Sequence, residues 1–211
     1  MAAPLKRMQT SEQSRPRLNP VHTEEIVLRQ WRDSDLGPYA AMNANPEVMR
    51  YFPAPLTRAE TAASLQRVRR AIDERGWGLW AVDVEGEFAG FTGLNVPTFS
   101  APFMPCVEIG WRFRRKFWGR SLAYRAARAA LSFGFESLTL AEIVSFTAAT
   151  NLRSRRLMER LGLEHDTAGD FDHPSIPKGH TLRRHVLYRI GRNSFRADRP
   201  DHRTRIHLTE R

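Results

Sequence analysis

Between Glu108 and Ala123 the chain reads Glu-Ile-Gly-Trp-Arg-Phe-Arg-Arg-Lys-Phe-Trp-Gly-Arg-Ser-Leu-Ala, and the hydrophobic period changes part-way. Cys106 to Phe113 alternates apolar and polar residues, the pattern of a half-buried strand. Arg114 to Arg120 is too cationic to be core. From Ser121 onward, Leu122, Ala126, Ala129, Ala130 and Phe133 recur at helical spacing. A strand must therefore feed a helix through a basic turn that contains a glycine. Such a turn suits phosphate, because the first amides of a helix have no internal partner and successive N–H groups in a turn can form an anion-binding nest. Gly119 leaves the approach open. Arg112, Arg114, Arg115, Lys116, Arg120, Arg125 and Arg128 bring positive charge to the stretch, with no acid among them. A helix start with a merely solvated basic face is the alternative reading of the same residues.

The rest of the composition narrows the class. At 211 residues and 41% hydrophobic, the chain can bury one proper core. No apolar run approaches the roughly 20 residues that span a bilayer, and the N-terminus lacks the apolar region of a signal peptide. No membrane partner is expected. Cys106 is the one cysteine, so no internal disulfide can form and a reducing, cytoplasmic setting is expected. It reads as a packed thiol in a strand rather than a nucleophile.

The net charge of +10 points to an anionic partner. Residues 1–20 and 192–211 carry +3 each, so more than half of the excess lies outside the compact part. The expected layout is a disordered N-terminal tail (1–20), one domain (21–191) and a basic disordered C-terminal tail (192–211).

Along the domain, Glu25–Trp31 reads as a strand, and Asp33 or Ser34 caps a helix to about Asn43. Thr57-Arg-Ala-Glu60 has capping-box spacing and starts a helix to Glu74, with Ala63, Leu65, Val68 and Ile72 on its buried side and Gly76 at its end. Gly78–Val84 and Glu87–Leu94 flank a Glu85-Gly86 hairpin signal. Strands at Glu142–Ala148, near Leu163–Asp166 and at Arg183–Ile190 follow, with a short helix over Leu152–Leu161 capped by Asn151. The order β-α-α-β-β-β-α-β-α-β-β implies an α+β domain with a mixed sheet, in which the middle βαβ unit needs a parallel crossover.

These residues resemble the GNAT (Gcn5-related N-acetyltransferase) superfamily over roughly Thr23 to Ile190, and more closely its RimJ/RimL-type branch. Lys116-Phe-Trp-Gly119-Arg-Ser121 matches the superfamily's Gln/Arg-x-x-Gly-x-Gly/Ala signature. Glu108-Ile-Gly-Trp111 with Trp118-Gly-Arg-Ser-Leu-Ala123 matches the branch's form. Asn151-Leu-Arg-Ser154 followed by Leu161-Gly-Leu163, and Arg29-Gln-Trp-Arg-Asp-Ser-Asp-Leu36, resemble further segments of that branch. Asp170-Phe-Asp-His-Pro and His185-Val-Leu-Tyr188 look like a subgroup marker. Two positions depart from the pattern: Ser121 stands where Gly or Ala is usual, and Lys116 where Gln or Arg is usual.

The resemblance implies a GNAT acyl-CoA N-acyltransferase fold, with a central, mostly antiparallel sheet whose splayed strands are flanked by helices. It implies acetyl-CoA as donor and a primary amine as acceptor, either a small molecule or a protein N-terminus. Lys116, Trp118, Gly119, Arg120 and Ser121 would hold the pyrophosphate, with Arg114, Arg115 or Arg120 at the 3′-phosphate. The strand end at Trp111, Arg112 and Phe113 would pair with the pantetheine arm, and Asn151 would bind its amide.

Glu108 is then the candidate base and Ser154 the candidate donor to the leaving thiolate. Met158 stands where many members have an acid Tyr, and Tyr188 is the reserve. Amides around Ile109 to Trp111 would meet the oxyanion. The seven histidines show no ligand spacing, so no metal is expected. His173, His180 and His185, with Trp77, Trp80 and Phe99, are candidates for the acceptor pocket. The loops at Tyr51–Thr57, Val96–Pro105 and Asp166–Gly179 should select the acceptor.

Two other readings remain. One is a GNAT-fold protein that binds CoA with little catalysis. The other is a basic nucleic-acid-binding protein, which the lack of a recognition-helix or RNP-like pattern disfavours. A monomer and a homodimer are equally compatible with the sequence.

Overall fold

A computed structural model describes residues 25–195 and 203–207. In chain order the elements are β1 (Ile26–Arg29), a 3-10 turn at Asp33–Asp35, α1 (Leu36–Ala44), α2 (Arg58–Arg75), β2 (Leu79–Val84) and β3 (Glu87–Asn95). Then come β4 (Glu108–Phe113), a 3-10 turn at Arg115–Phe117, α3 (Leu122–Ser132) running into a π turn at Phe133–Ser137, and β5 (Glu142–Ala148). The last are α4 (Leu152–Arg160), β6 (Glu164–Asp172), β7 (Arg184–Gly191) and β8 (Thr204–Ile206). The strands form one sheet in the order β6-β7-β5-β4-β3-β2-β1-β8. Among the described strands, only β4/β5 and β1/β8 are parallel.

Local chemistry accounts for most element ends. Thr57 Oγ1 accepts from Glu60 N (3.2 Å) while Glu60 Oε2 accepts from Thr57 N (2.7 Å), a reciprocal capping box at the start of α2. Gly76, at φ 79°, ends that helix in the left-handed conformation. Glu85 and Gly86 both have positive φ, as a two-residue hairpin requires. The buried stripe of α2 runs through Thr61, Leu65 and Ile72, with Val68 half-buried. Ala63, expected on that side, is exposed, because a stripe through 61, 65, 68 and 72 leaves position 63 on the far side of the helix.

The two sheet faces carry different helices. Tyr39 of α1 packs edge-on against Phe91 of β3 (6.1 Å). A Cβ on Gly134, in the turn after α3, would meet Leu94 of β3 and Ile143 of β5. Phe91 and Leu94 differ by an odd number of residues, so they point to opposite faces. Hence α1 lies on one face and the end of α3 on the other. Met158 and Leu161, at the C-terminal end of α4, join the α3-side core with Tyr188 and Ile190.

A buried ion cluster ties the first strands together. Arg29 bonds Asp35 (2.8 Å) and Asp83 (3.2 Å), all three nearly inaccessible. Burial opposes the Arg29 charge, yet the two carboxylates raise its pKa above the ordinary value.

Three further expectations need correction. Neither Asp33 nor Ser34 caps the first helix: both lie inside a 3-10 turn, and α1 starts behind it at Leu36, because the Asp35 carboxylate folds back onto Arg32 N (2.7 Å) and Arg29. The strand expected near Leu163–Asp166 extends to Asp172, with an irregularity between Asp166 and Phe171. The stretch 192–211, read as a disordered tail from its charge, contains β8, which pairs in parallel with β1 from Ile26↔Thr204 to Leu28↔Ile206. Phe195 also packs on Phe135 (4.9 Å). The outer edge of β1 would otherwise present unpaired N–H and C=O groups. Residues 1–20 lie outside the described residues. Among the described residues, no helix is long and apolar enough to cross a membrane.

Candidate active site

The site is built where β4 parts from β5. Their pairing is confined to Glu108↔Val144, supplemented by Val144 N to Val107 O (2.9 Å) and Ser145 Oγ to Ile109 O (2.9 Å). Beyond Ile109 the strands separate. Arg114 N donates to Ala89 O (2.9 Å) and Thr92 Oγ1 to Gly110 O (2.9 Å), so the even-numbered main-chain groups of β4 turn toward β3. By alternation the groups of Trp111 and Phe113 turn toward the gap. Phe113 O is taken by the Trp118 indole N–H (2.9 Å), which leaves both main-chain groups of Trp111 and the N–H of Phe113 facing the opening.

Glu108 stands at the closed end of this gap. Its half-buried carboxyl accepts one hydrogen bond, from Asn95 Nδ2 (2.7 Å). Burial pushes its pKa up to about 7, and the Asn95 bond offsets only part of that rise. A carboxyl titrating near neutrality is matched to taking a proton from an amine at neutral pH.

The opposite end of the gap leads to the basic turn. Gly119 (φ 77°) and Ser121 (φ 55°) are both left-handed, bracketing Arg120 at the start of α3, so their N–H groups lie in a nest in front of the free helix amides. A Cβ on Gly119 would meet nothing within 4 Å, so the turn faces open space. Cations gather there from α4 as well as from the turn itself. Arg153 lies 4.1 Å above the Trp118 ring, and Arg115, 5.0 Å from that ring, is itself ion-paired with Glu47 (2.8 Å). Arg160 reaches Ser121 Oγ (3.3 Å) and stacks on Tyr124.

Not every candidate residue joins this arrangement. Lys116 and Arg114 both bind Glu87 at the start of β3, anchoring the turn to the sheet, and they hold the Glu87 carboxyl below its ordinary pKa. Arg112 does not reach the turn. Alternation sends its side chain to the α1 face, where it donates to Asn43 Oδ1 (2.7 Å) and lies 4.0 Å over Phe52. Asn151 caps α4 through Ser154 N (3.3 Å) and donates to Thr147 Oγ1 (2.9 Å), so both ends of its amide are engaged. The Ser154 hydroxyl, unlike its N–H, takes no part in the cap, and the half-buried residue stands on the first turn of α4. Tyr188 donates to Glu159 Oε1 (2.9 Å) and packs on the α3/α4 face, away from Glu108. Burial pushes the Cys106 thiol up to about 11, with the Glu108 charge adding to the effect, so it stays protonated at neutral pH. Asn95, Arg153 and Arg160 are site residues that periodicity did not reveal.

The family model for the acetyltransferase (GNAT) domain matches residues 25–164. The chain belongs to the GNAT acetyltransferase family. It is 35% identical over 131 residues to the FsC-acetyl coenzyme A-N(2)-transacetylase of Aspergillus fumigatus, a match covering 59% of this chain and 56% of that protein. The chain thus spans little more than half the length of that curated relative. A GNAT acetyltransferase from Bacillus anthracis superposes with TM-score 0.66 at 24% identity, over 80% of this chain and 96% of that one. The ribosomal L7/L12 α-N-protein acetyltransferase RimL, in complex with coenzyme A, superposes with TM-score 0.64 at 16% identity, over 82% and 96% of the two chains. The GNAT fold expected from the signature segments is the fold observed.

Proposed function

We propose that this GNAT protein transfers an acetyl group from acetyl-CoA to a primary amine by direct attack in a ternary complex. The observation that carries the reading is the position of Glu108: a carboxyl raised to about 7 sits at the closed end of the gap between β4 and β5, one strand ahead of an anion-binding helix start. The residues fit the donor at both ends. The turn at Gly119–Ser121, with Arg120, Arg153 and Arg160 around it, suits a pyrophosphate. The gap beside Trp111 suits an extended amide-containing arm held as an added strand.

Acetyl-CoA supplies the thioester, and the chain supplies the proton traffic. Glu108 takes a proton from the acceptor ammonium, freeing the nitrogen lone pair to bond the acyl carbon. The Trp111 N–H, aimed into the gap, stabilises the oxyanion that develops. As the C–S bond breaks, Ser154 gives its hydroxyl proton to the sulfur and takes in its place the second proton that the now cationic nitrogen sheds, so the products are a neutral amide and a thiol, with Ser154 restored. Asn151 keeps the role of fixing α4, and through it Ser154, while Lys116 and Arg114 hold the turn in place. The donor reading predicts that saturating acetyl-CoA raises the unfolding midpoint, with about 3 kcal/mol of stabilisation at a hundredfold excess over Kd. An unchanged midpoint in a correctly folded sample would contradict it.

A further inference from the structure

A second aromatic cluster, separate from the main core, lies on the same sheet face as Glu108. Its rings belong to Phe99, Phe103, Phe146, Phe171, His173 and His185, with centroids such as Phe99–His173 at 4.7 Å, Phe103–Phe171 at 4.9 Å and Phe99–Phe146 at 5.5 Å. Phe171 and His185 are buried, while the other four stay half-buried.

Two features of the backbone set this cluster beside Glu108. The loop 96–107, which carries Phe99 and Phe103, leaves the sheet at Asn95 and returns at Glu108, and those two residues are paired across β3 and β4. On β5, Val144 is the register partner of Glu108. Phe146 is two residues further on the same face, about 7 Å along the direction in which the gap opens. The remaining rings join through Phe146↔Leu187, Ala148↔His185 and Phe171↔His185.

The rings themselves carry no negative charge, and the carboxylates further along the same face, Glu142 and Asp166, are both held by Arg189 (2.6 and 2.7 Å). Burial lowers the pKa of His173, helped by Arg183, and takes that of His185 down to about 4, so both are neutral at neutral pH. Asp172, next in the chain to Phe171, points to the other face and is held by Arg183 (3.2 Å) and Arg184 (3.8 Å). A polyamine would bring further ammonium groups against these rings. Each would lose hydration against rings that offer no carboxylate in compensation. An aryl or branched alkyl group would instead gain from the removal of its apolar surface from water.

We infer that the acceptor is a primary amine whose adjoining substituent is aromatic or bulky and apolar, with no second positive charge. The inference rests on the acetyl-transfer reading. Both a free arylalkylamine and a peptide beginning with an aromatic residue have this chemistry.

The test is steady-state kinetics of the full chain at saturating acetyl-CoA, with phenethylamine, a phenylalanine-initiated dipeptide amide and spermidine as acceptors. At least one of the two aryl amines should exceed spermidine in kcat/KM by roughly tenfold or more, and the better of them identifies the source. Phe146→Leu and Phe99→Ala should raise the KM for that amine several-fold and leave the KM for acetyl-CoA unchanged. Spermidine turning over as well as or better than both aryl amines would overturn the inference while leaving acetyl transfer intact, as would variants with unaltered amine KM. Thermal shifts of the CoA-bound protein separate the remaining outcomes. Stabilisation by an aryl amine without turnover supports the acceptor class and removes the catalytic reading. Neither stabilisation nor turnover by the aryl amines, with acetyl-CoA still bound, overturns the acceptor class.

Discussion

A carboxyl group that titrates near neutrality costs the folded protein stability whenever it is ionised. Glu108 has a folded pKa of about 7 against an ordinary value of 4.5. A raised folded pKa means that the native state holds the proton more tightly than the unfolded chain. The associated stability is fully present below pH about 4.5 and is lost as pH rises through about 7. At about 1.4 kcal/mol per pH unit, the ionised carboxylate costs about 3 kcal/mol above that window. Glu108→Gln, which can still accept from Asn95, should therefore unfold at a higher temperature than the unaltered protein at pH about 8.5 and at nearly the same temperature at pH about 4. Thermal melts at the two pH values check this, and a gap that does not widen with pH would refute it. Glu108 was legible in the sequence as a strand carboxylate before Ile-Gly-Trp, but its environment was not. Asn95 faces it across a loop whose length gives no register, and no local pattern announces that pairing.

Among the elements, the turn from β4 into α3 shows how a departure from the family pattern is accommodated. Ser121 is the N-cap of α3 and sits at φ 55°, ψ 10°, a conformation that costs a residue with a Cβ roughly 1–2 kcal/mol. A glycine, one of the two residues usual at this position, would relieve that backbone cost as well as leave room for phosphate. In return Ser121 gains a long hydrogen bond from Arg160, exposed and worth little. Ser121→Gly should raise the unfolding free energy by about 1 kcal/mol without weakening acetyl-CoA binding. Denaturant melts and calorimetric titration measure the two quantities, and a destabilised variant would mean that the hydroxyl contributes more than the strain costs.

The caps of α2 and α4, the hairpin and the central crossover were readable because each depends on residues close in sequence, such as Thr57 with Glu60 and Glu85 with Gly86. The fates of Lys116 and Arg114 were not, since the partner they share, Glu87, comes from another strand. β8 was missed for a related reason: three alternating residues inside a basic stretch carry too little periodicity to stand out, and only the open edge of β1 gives them a place.

Across the whole molecule, the sheet brings together pieces that are far apart in the chain. Asn95 and Glu108 meet across β3 and β4, Phe146 arrives from β5, and Arg153 and Arg160 come from α4 to the helix start of α3. The family and its fold follow from the segments between Glu108 and Leu163, which keep their motif spacing. The aromatic wall proposed for the acceptor is built from the loop 96–107, β5 and the β6–β7 region, whose contacts depend on the closed sheet.

The central claim is that Glu108 accepts the proton that acetyl transfer must remove, and the pH dependence of kcat/KM for the preferred amine at saturating acetyl-CoA tests it most directly. The unaltered protein should show activity rising with pH through an inflection near 7. In Glu108→Gln that inflection should vanish and turnover should fall by about a hundredfold or more, with acetyl-CoA affinity unchanged. The same inflection and comparable turnover in the variant would contradict the account.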